Sequence, residues 1–447
     1  MRVLCLLLAC CLGLTLRAEV DRILLEATIN GQRVRLFLDT CASDSVLFRS
    51  AAERLKLKLE DASPGLRPTV ASVRLAALTE PVDVVYRTLT VRTEFGVIDR
   101  PPFGEADTDG LLSWYPLRHQ VLIFDATAHR LDIADAVPQR VLSWPKFKER
   151  VGSRLLAFET GVADPQHHTV YVDTGAFDGV TLNRSFWAKW VATRTHQPGT
   201  MRAFLSLMVG MFVQREMWAN EIALGSLVLA EVPVRELDGK EDAVALFPDH
   251  AATLGLFALR RLDLVVDGSN EVVYARAREG PAPDYPHNQL GAVFAPRNSQ
   301  SDPLVAYVAP VSPAYRAGIR DEDVLLRIDD LDVTKWRTDP RVMPLRRFWE
   351  FPAGTAFKLT LKRGEREYQT TVVLERILGT GTSGDGASIE ALARQSEANQ
   401  RLLSDFRAQA EKDDARAQDR LGTLLLSGGV GVAKDEGVWA AGQDRSE

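Results

Sequence analysis

Two stretches carry the residues best suited to chemistry. His168-Thr169-Val170-Tyr171-Val172-Asp173-Thr174-Gly175-Ala176-Phe177-Asp178-Gly179-Val180-Thr181-Leu182 is an apolar run that enters an Asp-Thr-Gly turn and leaves as a second apolar run. A carboxylate at the end of a buried strand, followed by a hydrogen-bonding residue and a glycine, presents an acid at the floor of a cleft. Asp173 is therefore the first catalytic candidate. Val34-Arg35-Leu36-Phe37-Leu38-Asp39-Thr40-Cys41-Ala42-Ser43-Asp44-Ser45-Val46-Leu47 repeats the apolar approach, the Asp-Thr and the apolar exit, with Asp39 as its acid. At similar separations each is followed by a second signal, Thr253-Leu254-Gly255-Leu256 in one case and Asp109-Gly110-Leu111-Leu112-Ser113 in the other. The pattern reads as an internal duplication with one acid in each half. Two carboxylates brought close together cannot both ionise cheaply, so they share a proton. The ionised member is then a general base for water, and the protonated one polarises a carbonyl.

At these residues, over about positions 25 to 275, the chain resembles the retropepsin-like aspartic proteases in which two lobes are fused in one chain. The family pattern is apolar-apolar-Asp-Thr-Gly-Ala with an apolar-apolar-Gly near the end of each lobe. The resemblance implies that Asp39 and Asp173 are the catalytic aspartates and that Thr40 and Thr174, with Gly175, lock the two loops across the lobe interface. It also places Ser113 and Gly255 at the supporting glycine-loop positions, and it implies a polypeptide substrate with no cofactor and no metal. The second half follows the pattern in full, whereas the first has Cys41 and Ser113 where glycine is expected. If the turn requires a positive φ, Cys41 costs ~1–2 kcal/mol, and its side chain crowds the carboxylates. An aspartic-type endopeptidase is the leading reading. A non-catalytic peptide-binding or scaffold protein with a degenerate first lobe is the alternative.

The elements that must position these residues come from a chain of 447 residues, enough for about three domains. A hydrophobic share of 46% with 26% charged is globular, and a net charge of −6 without a basic patch argues against a nucleic-acid partner. Residues 1–18 read as a signal peptide, with Arg2, the apolar run Val3 to Leu14 and Ala18 as the cleavage residue. Leu7-Leu8-Ala9-Cys10 offers a lipoprotein signal as the second possibility. Export to the periplasm or the outside is common to both, and no later apolar run is long enough to span a bilayer. Cys5, Cys10 and Cys11 leave with the signal, so Cys41 is expected as the lone thiol of the mature chain, with no internal disulfide. Nucleophilic chemistry at Cys41 needs a His-type base, and none of His119, His129, His167, His168 or His196 sits in a recognisable pairing. The adjacent His167 and His168 point to opposite faces and cannot chelate one ion.

The expected fold is mainly β: two retropepsin-like β-barrel lobes at 19–137 and 149–277, a PDZ β-barrel with helices at 288–375, and a helical tail at 388–447. Asn30-Gly31 between two apolar runs marks a hairpin. Gly210 in Met208-Val209-Gly210-Met211-Phe212 is the flap candidate, with a bulged strand as the plain reading. Trp187 and Trp190 are expected in the core. Gly280 to Pro286 reads as a linker. After it, Val311-Ser312-Pro313-Ala314-Tyr315-Arg316-Ala317-Gly318-Ile319-Arg320-Asp321-Glu322-Asp323-Val324-Leu325 resembles a PDZ domain of the bacterial protease-associated type. That resemblance implies a peptide C-terminus or internal segment as partner, added to a sheet edge, with Gly291, Ala292, Val293 and Phe294 as the binding loop. Gly379-Thr380-Gly381-Thr382-Ser383-Gly384 has the dinucleotide spelling but no βαβ context, and reads as a linker. Residues Lys412 to Asp435 resemble one Sel-type tetratricopeptide-like repeat, which cannot bury its own apolar face alone.

Overall fold

The computed structural model describes residues 22–61, 69–70, 73–99, 108–150, 152–161, 169–206, 210–237, 250–297, 301–337, 342 and 345–379. The signal at 1–18 with Cys10, the pair His167 and His168, positions 380–384 and the tail at 388–447 lie outside them. The described protein is mainly β. It divides into two compact units, one within Met1–Thr195, Phe204–Gln214 and Trp218–Pro283, the other within His196–Ala203, Arg215–Met217 and Asp284–Glu447.

In the first unit, Leu24–Ile29 and Gln32–Asp39 pair antiparallel with Ile29 opposite Gln32. The turn uses positive φ at both Asn30 (51°) and Gly31 (73°), the primed geometry that Asn-Gly supplies at least cost. Four strands then lie side by side in the order Phe95–Ile98, Ser45–Phe48, Gly110–Ser113, Gln32–Asp39, with neighbours parallel, antiparallel and parallel. A second sheet repeats this with Leu227–Glu236, Val180–Leu182, His250–Leu254 and Thr169–Val172, in the same order and with the same directions. Strands of this kind bury both faces, which is why they read as unbroken apolar runs rather than alternating ones. The duplication inferred from two motifs is thus a duplication of topology.

The sequence division differs from the structure in where strands find partners. Val121–Asp125 and Arg130–Ala134, given to the first lobe by position, form a hairpin that pairs with Leu262–Asp267 in the second sheet. Lys146–Glu149, which straddles the gap between the two lobe ranges and the start of the second, is a strand between Val272–Ala277 and Ala157–Glu159. Local apolar pattern marks a strand but carries no information about its neighbour. The Gly280 to Pro286 stretch is anchored, since Arg261 donates to the carbonyls of Gly280 and Pro281 within the first unit. Tyr285 is buried and donates to Glu216 Oε1 at 2.6 Å within the second.

Glu149 faces the charges of Glu271 and Asp267 across this sheet. Burial first, and then those charges, push its carboxyl up to about 7. A carboxyl whose folded pKa is raised costs stability once pH exceeds its unfolded value, and the full cost is reached above the folded one. We expect Glu149→Gln to stabilise the protein by about 1–2 kcal/mol at pH 8, after allowance for solvent screening, and by little at pH 4. Urea unfolding at the two pH values checks this.

The second unit orders Ala292–Ala295, Leu304–Val308, Val324–Ile328, Ala356–Arg363 and Arg366–Val373 in one sheet. Ala292–Ala295 is its edge. The short helix Pro313–Arg316 starts on Ser312, whose Oγ accepts the Tyr315 N–H at 3.2 Å. Buried Asp323 accepts from Arg363, from the Tyr368 hydroxyl and from the Arg320 N–H. Burial alone raises its pKa, but these donors outweigh it and hold the carboxyl below the usual range. Leu290, Phe294, Trp349, Phe357 and Leu361 are among the residues of the core.

Candidate active site

Asp39 ends the strand Gln32–Asp39, opposite Ser113 in parallel register. Asp173 follows Thr169–Val172, and its N–H donates to the Leu254 carbonyl at 2.9 Å. The two acids are 1% and 4% exposed, so each strand delivers a carboxyl to the interior.

The next residues cross between the halves. Thr174 Oγ1 accepts from the Thr40 N–H at 3.1 Å and donates to the Leu38 carbonyl at 2.8 Å. Thr40 Oγ1 accepts from the Thr174 N–H at 3.1 Å and donates to the Val172 carbonyl at 2.5 Å. Each hydroxyl satisfies a buried donor and a buried acceptor of the opposite half. Thr174→Val removes one and orphans both partners, so we expect a loss of about 2–4 kcal/mol. Thr174→Ser should retain most of that, by denaturant midpoint.

Gly175 lies between the two acids. Its N–H donates to Asp173 Oδ1 at 2.9 Å, and a Cβ added to it would stand 2.6 Å from Asp39 Oδ2. The glycine is required for closeness, not for its dihedral. Neither Gly175 nor Cys41 has a positive φ, so the strain expected at Cys41 is absent. The Cys41 N–H donates to Asp39 Oδ1 at 3.0 Å, and its sulfur sits 3.4 Å from the Val172 carbonyl oxygen. The side chain is fully buried among Leu155, Ala157 and Tyr171, in an apolar pocket of its own. Crowding of the carboxylates by the thiol, expected from sequence, gives way to this packing.

Burial, and then the charge of Asp39, raise the Asp173 carboxyl well above the usual carboxylate range. The N–H groups of Gly175 and Ala176 oppose that rise, and the charge of Asp178 adds to it. A buried acid kept protonated beside a second carboxyl can donate a proton near neutrality.

Ser113 and Gly255 occupy matching places, and sequence reasoning missed what accommodates the difference. Gly255 donates its N–H to the Gly179 carbonyl at 2.9 Å, and a Cβ there would lie 2.4 Å from the Asp178 carbonyl oxygen. In the first half Ser45 stands where the second has Gly179. The Ser113 N–H donates to Ser45 Oγ at 3.1 Å, and the two hydroxyls are 3.2 Å apart. A pair of serines replaces a pair of glycines. Ser45 follows Asp39 by the same interval as Gly179 follows Asp173, and that spacing was the available signal.

Gly210 opens the strand Gly210–Leu224, with Met208 and Val209 outside the described residues. Trp187 is buried and its ring lies 5.7 Å from that of the half-buried Trp190. In the second unit Gly291 has a φ of 76° and packs against Ser312. Ala292 and Phe294 are buried, Phe294 with its ring 6.0 Å from Trp349, and Val293 is half-buried. The N–H groups of Leu290 and Gly291 both donate to Asn288 Oδ1, at 2.9 and 3.3 Å. The Gly291 N–H of the expected binding loop, and that of Leu290 just before it, are therefore taken by the chain itself. Among the described residues no group of three or more His, Cys, Asp or Glu is placed to hold a metal, and no helix is long and apolar enough to cross a membrane.

No curated protein matches the chain. The retroviral protease-like domain of Ddi1 from Leishmania major is similar at 20% identity and a TM-score of 0.21, over 27% of this chain and 96% of that one. The aspartyl protease family model matches residues 25–114, the segment that holds Asp39, Thr40, Cys41 and Ser113.

Proposed function

We propose that this protein is an exported aspartic-type endopeptidase in which Asp39 and Asp173 share one proton and activate water. The observation that carries the reading is the exchange of hydrogen bonds between Thr40 and Thr174, which ties together the two loops that bear the acids. In the reaction, ionised Asp39 takes a proton from water as the oxygen attacks the scissile carbonyl carbon. Asp173 gives its proton to the carbonyl oxygen, so a neutral tetrahedral diol forms. Collapse returns a proton to Asp173 and passes the proton held by Asp39 to the departing amine. The antiparallel pair Leu59–Asp61 and Val73–Thr79 would bear one flap, and the strand that Gly210 opens would be an arm of a second hairpin.

The second unit would position polypeptide in the manner of a PDZ domain, a segment pairing with the edge strand Ala292–Ala295. Because Asn288 already holds the Leu290 and Gly291 N–H groups, an internal segment fits better than a free C-terminus. The signal-like residues 1–18 support export to the periplasm or the outside. The purified mature protein should cut an unfolded polypeptide at acidic to neutral pH and be blocked by a statine-containing peptide. Peptides with free and amidated C-termini should bind alike. Absence of statine-sensitive cleavage, with peptide binding retained, would replace the endopeptidase by a peptide-holding protein.

A further inference from the structure

The loop that leaves Asp173 contains a second buried acid, and the cation that meets it comes from a different strand. Asp178 Oδ2 is 2.5 Å from Arg235 Nη2, and the two side chains are 3% and 5% exposed. Arg235 belongs to Leu227–Glu236, in parallel register with Thr181 on the strand just after the loop. Its Nε donates to Thr181 Oγ1 and its Nη1 to Gln214 Oε1, both at 2.8 Å. Gln214 lies on Gly210–Leu224, an arm of the second hairpin. One rigid guanidinium thus joins the acid-bearing loop, its exit strand and the hairpin arm, which a flexible ammonium could not do.

The first half holds its equivalent acid differently. Its equivalent acid, Asp44, meets Arg154 Nη2 at 2.6 Å, but Arg154 is 49% exposed and lies outside any strand or helix. Arg154 also reaches back to the Ser43 carbonyl and over the Tyr115 ring. The duplicated acids share a position and differ in how they are held.

We propose that Arg235 is a positioning residue of the acid pair, holding the loop that carries Asp173 in place by gripping its Asp178. This rests on the endopeptidase reading. The charge of Asp178 then acts on Asp173 from a constant place. Among the described residues, the other charged or titratable groups about this loop include Asp39 on the facing strand, Arg22 over the Phe177 ring, and the buried His250 beside Tyr171.

The test compares wild type with Asp178→Asn, Arg235→Lys and the double variant Asp178→Asn/Arg235→Gln, which replaces the ion pair by a neutral hydrogen-bonding pair should either single variant fail to fold. Two readouts are taken on the full chain: kcat and KM against pH for an unfolded polypeptide, and titration of the 13C-labelled Asp173 carboxyl, assigned with Asp173→Asn. Removing the Asp178 charge should move the Asp173 titration, and with it the alkaline limb of kcat, to lower pH, with KM little changed. The double variant leaves no uncompensated arginine beside the loop, so its shift should have the same sign and be smaller. Arg235→Lys keeps a charge beside Asp178 but loses Thr181 and Gln214, so kcat should fall about tenfold with the limb in place. An Asp173 titration identical in wild type, Asp178→Asn and the double variant overturns the proposal, as does an Arg235→Lys enzyme with wild-type kcat. If wild type proves inactive the endopeptidase reading fails, and the carboxyl titration alone still decides whether Asp178 acts on Asp173.

Discussion

Asp173→Asn should lower the rate of peptide hydrolysis by about 10³-fold or more and at the same time make the protein more stable at neutral pH. The first effect follows from loss of the proton donor, worth about 4 kcal/mol of transition-state stabilisation at that fold-change. The second follows from the direction of the pKa shift. Burial and the charge of Asp39 raise the Asp173 carboxyl in the folded state, so folding favours its neutral form. Such a group costs stability at every pH above its unfolded value, and a neutral amide of the same shape removes that cost. Asp39→Asn should abolish hydrolysis to a similar degree, by removing the base. A rate assay with a denaturant midpoint on each variant separates this from simple misfolding, which would lower both quantities together.

Gly175→Ala should cost about 10²-fold in kcat through geometry alone. The added methyl carbon would stand 2.6 Å from Asp39 Oδ2 and 2.7 Å from its Cγ, distances that real contacts do not tolerate. Asp39 is buried and tied to the Cys41 N–H, so its carboxyl has little freedom to retreat. Either it rotates out of position or the two loops separate at Thr40 and Thr174. Cys41→Gly makes the converse change and should behave differently. It empties the space among Leu155, Ala157 and Tyr171, which costs about 1–2 kcal/mol of stability but leaves the carboxyls where they are. Opposite rankings of the two variants in kcat and in stability are the expected outcome, read by steady-state kinetics and urea unfolding.

Much of this site is written in short-range pattern. The Asp-Thr repeats, the apolar approach runs and the Asn30-Gly31 turn are local features whose physics needs no partner, and they sit in the structure as strand ends and a primed turn. What escaped sequence reasoning was set by distance. Arg235 lies far along the chain from Asp178, and nothing near it distinguishes it from a surface arginine at a strand end. The neighbours of Val121–Asp125 and Lys146–Glu149 are likewise fixed by sheet assembly rather than by composition. Cys41 was misjudged for another reason. Glycine at the third motif position was taken to serve a dihedral, whereas at Gly175 it serves the approach of Asp39, and the first half directs its side chain elsewhere.

The difference between Arg235 and Arg154 has a consequence for heredity as well as for chemistry. Where two identical subunits meet on a twofold axis, every change in one is copied in the other, and neither acid can be told from its mate. Joining the halves in one gene removes that constraint. An arginine can then serve one side only and serines can stand on the other where its mate has glycines, so the two acids are free to do different work.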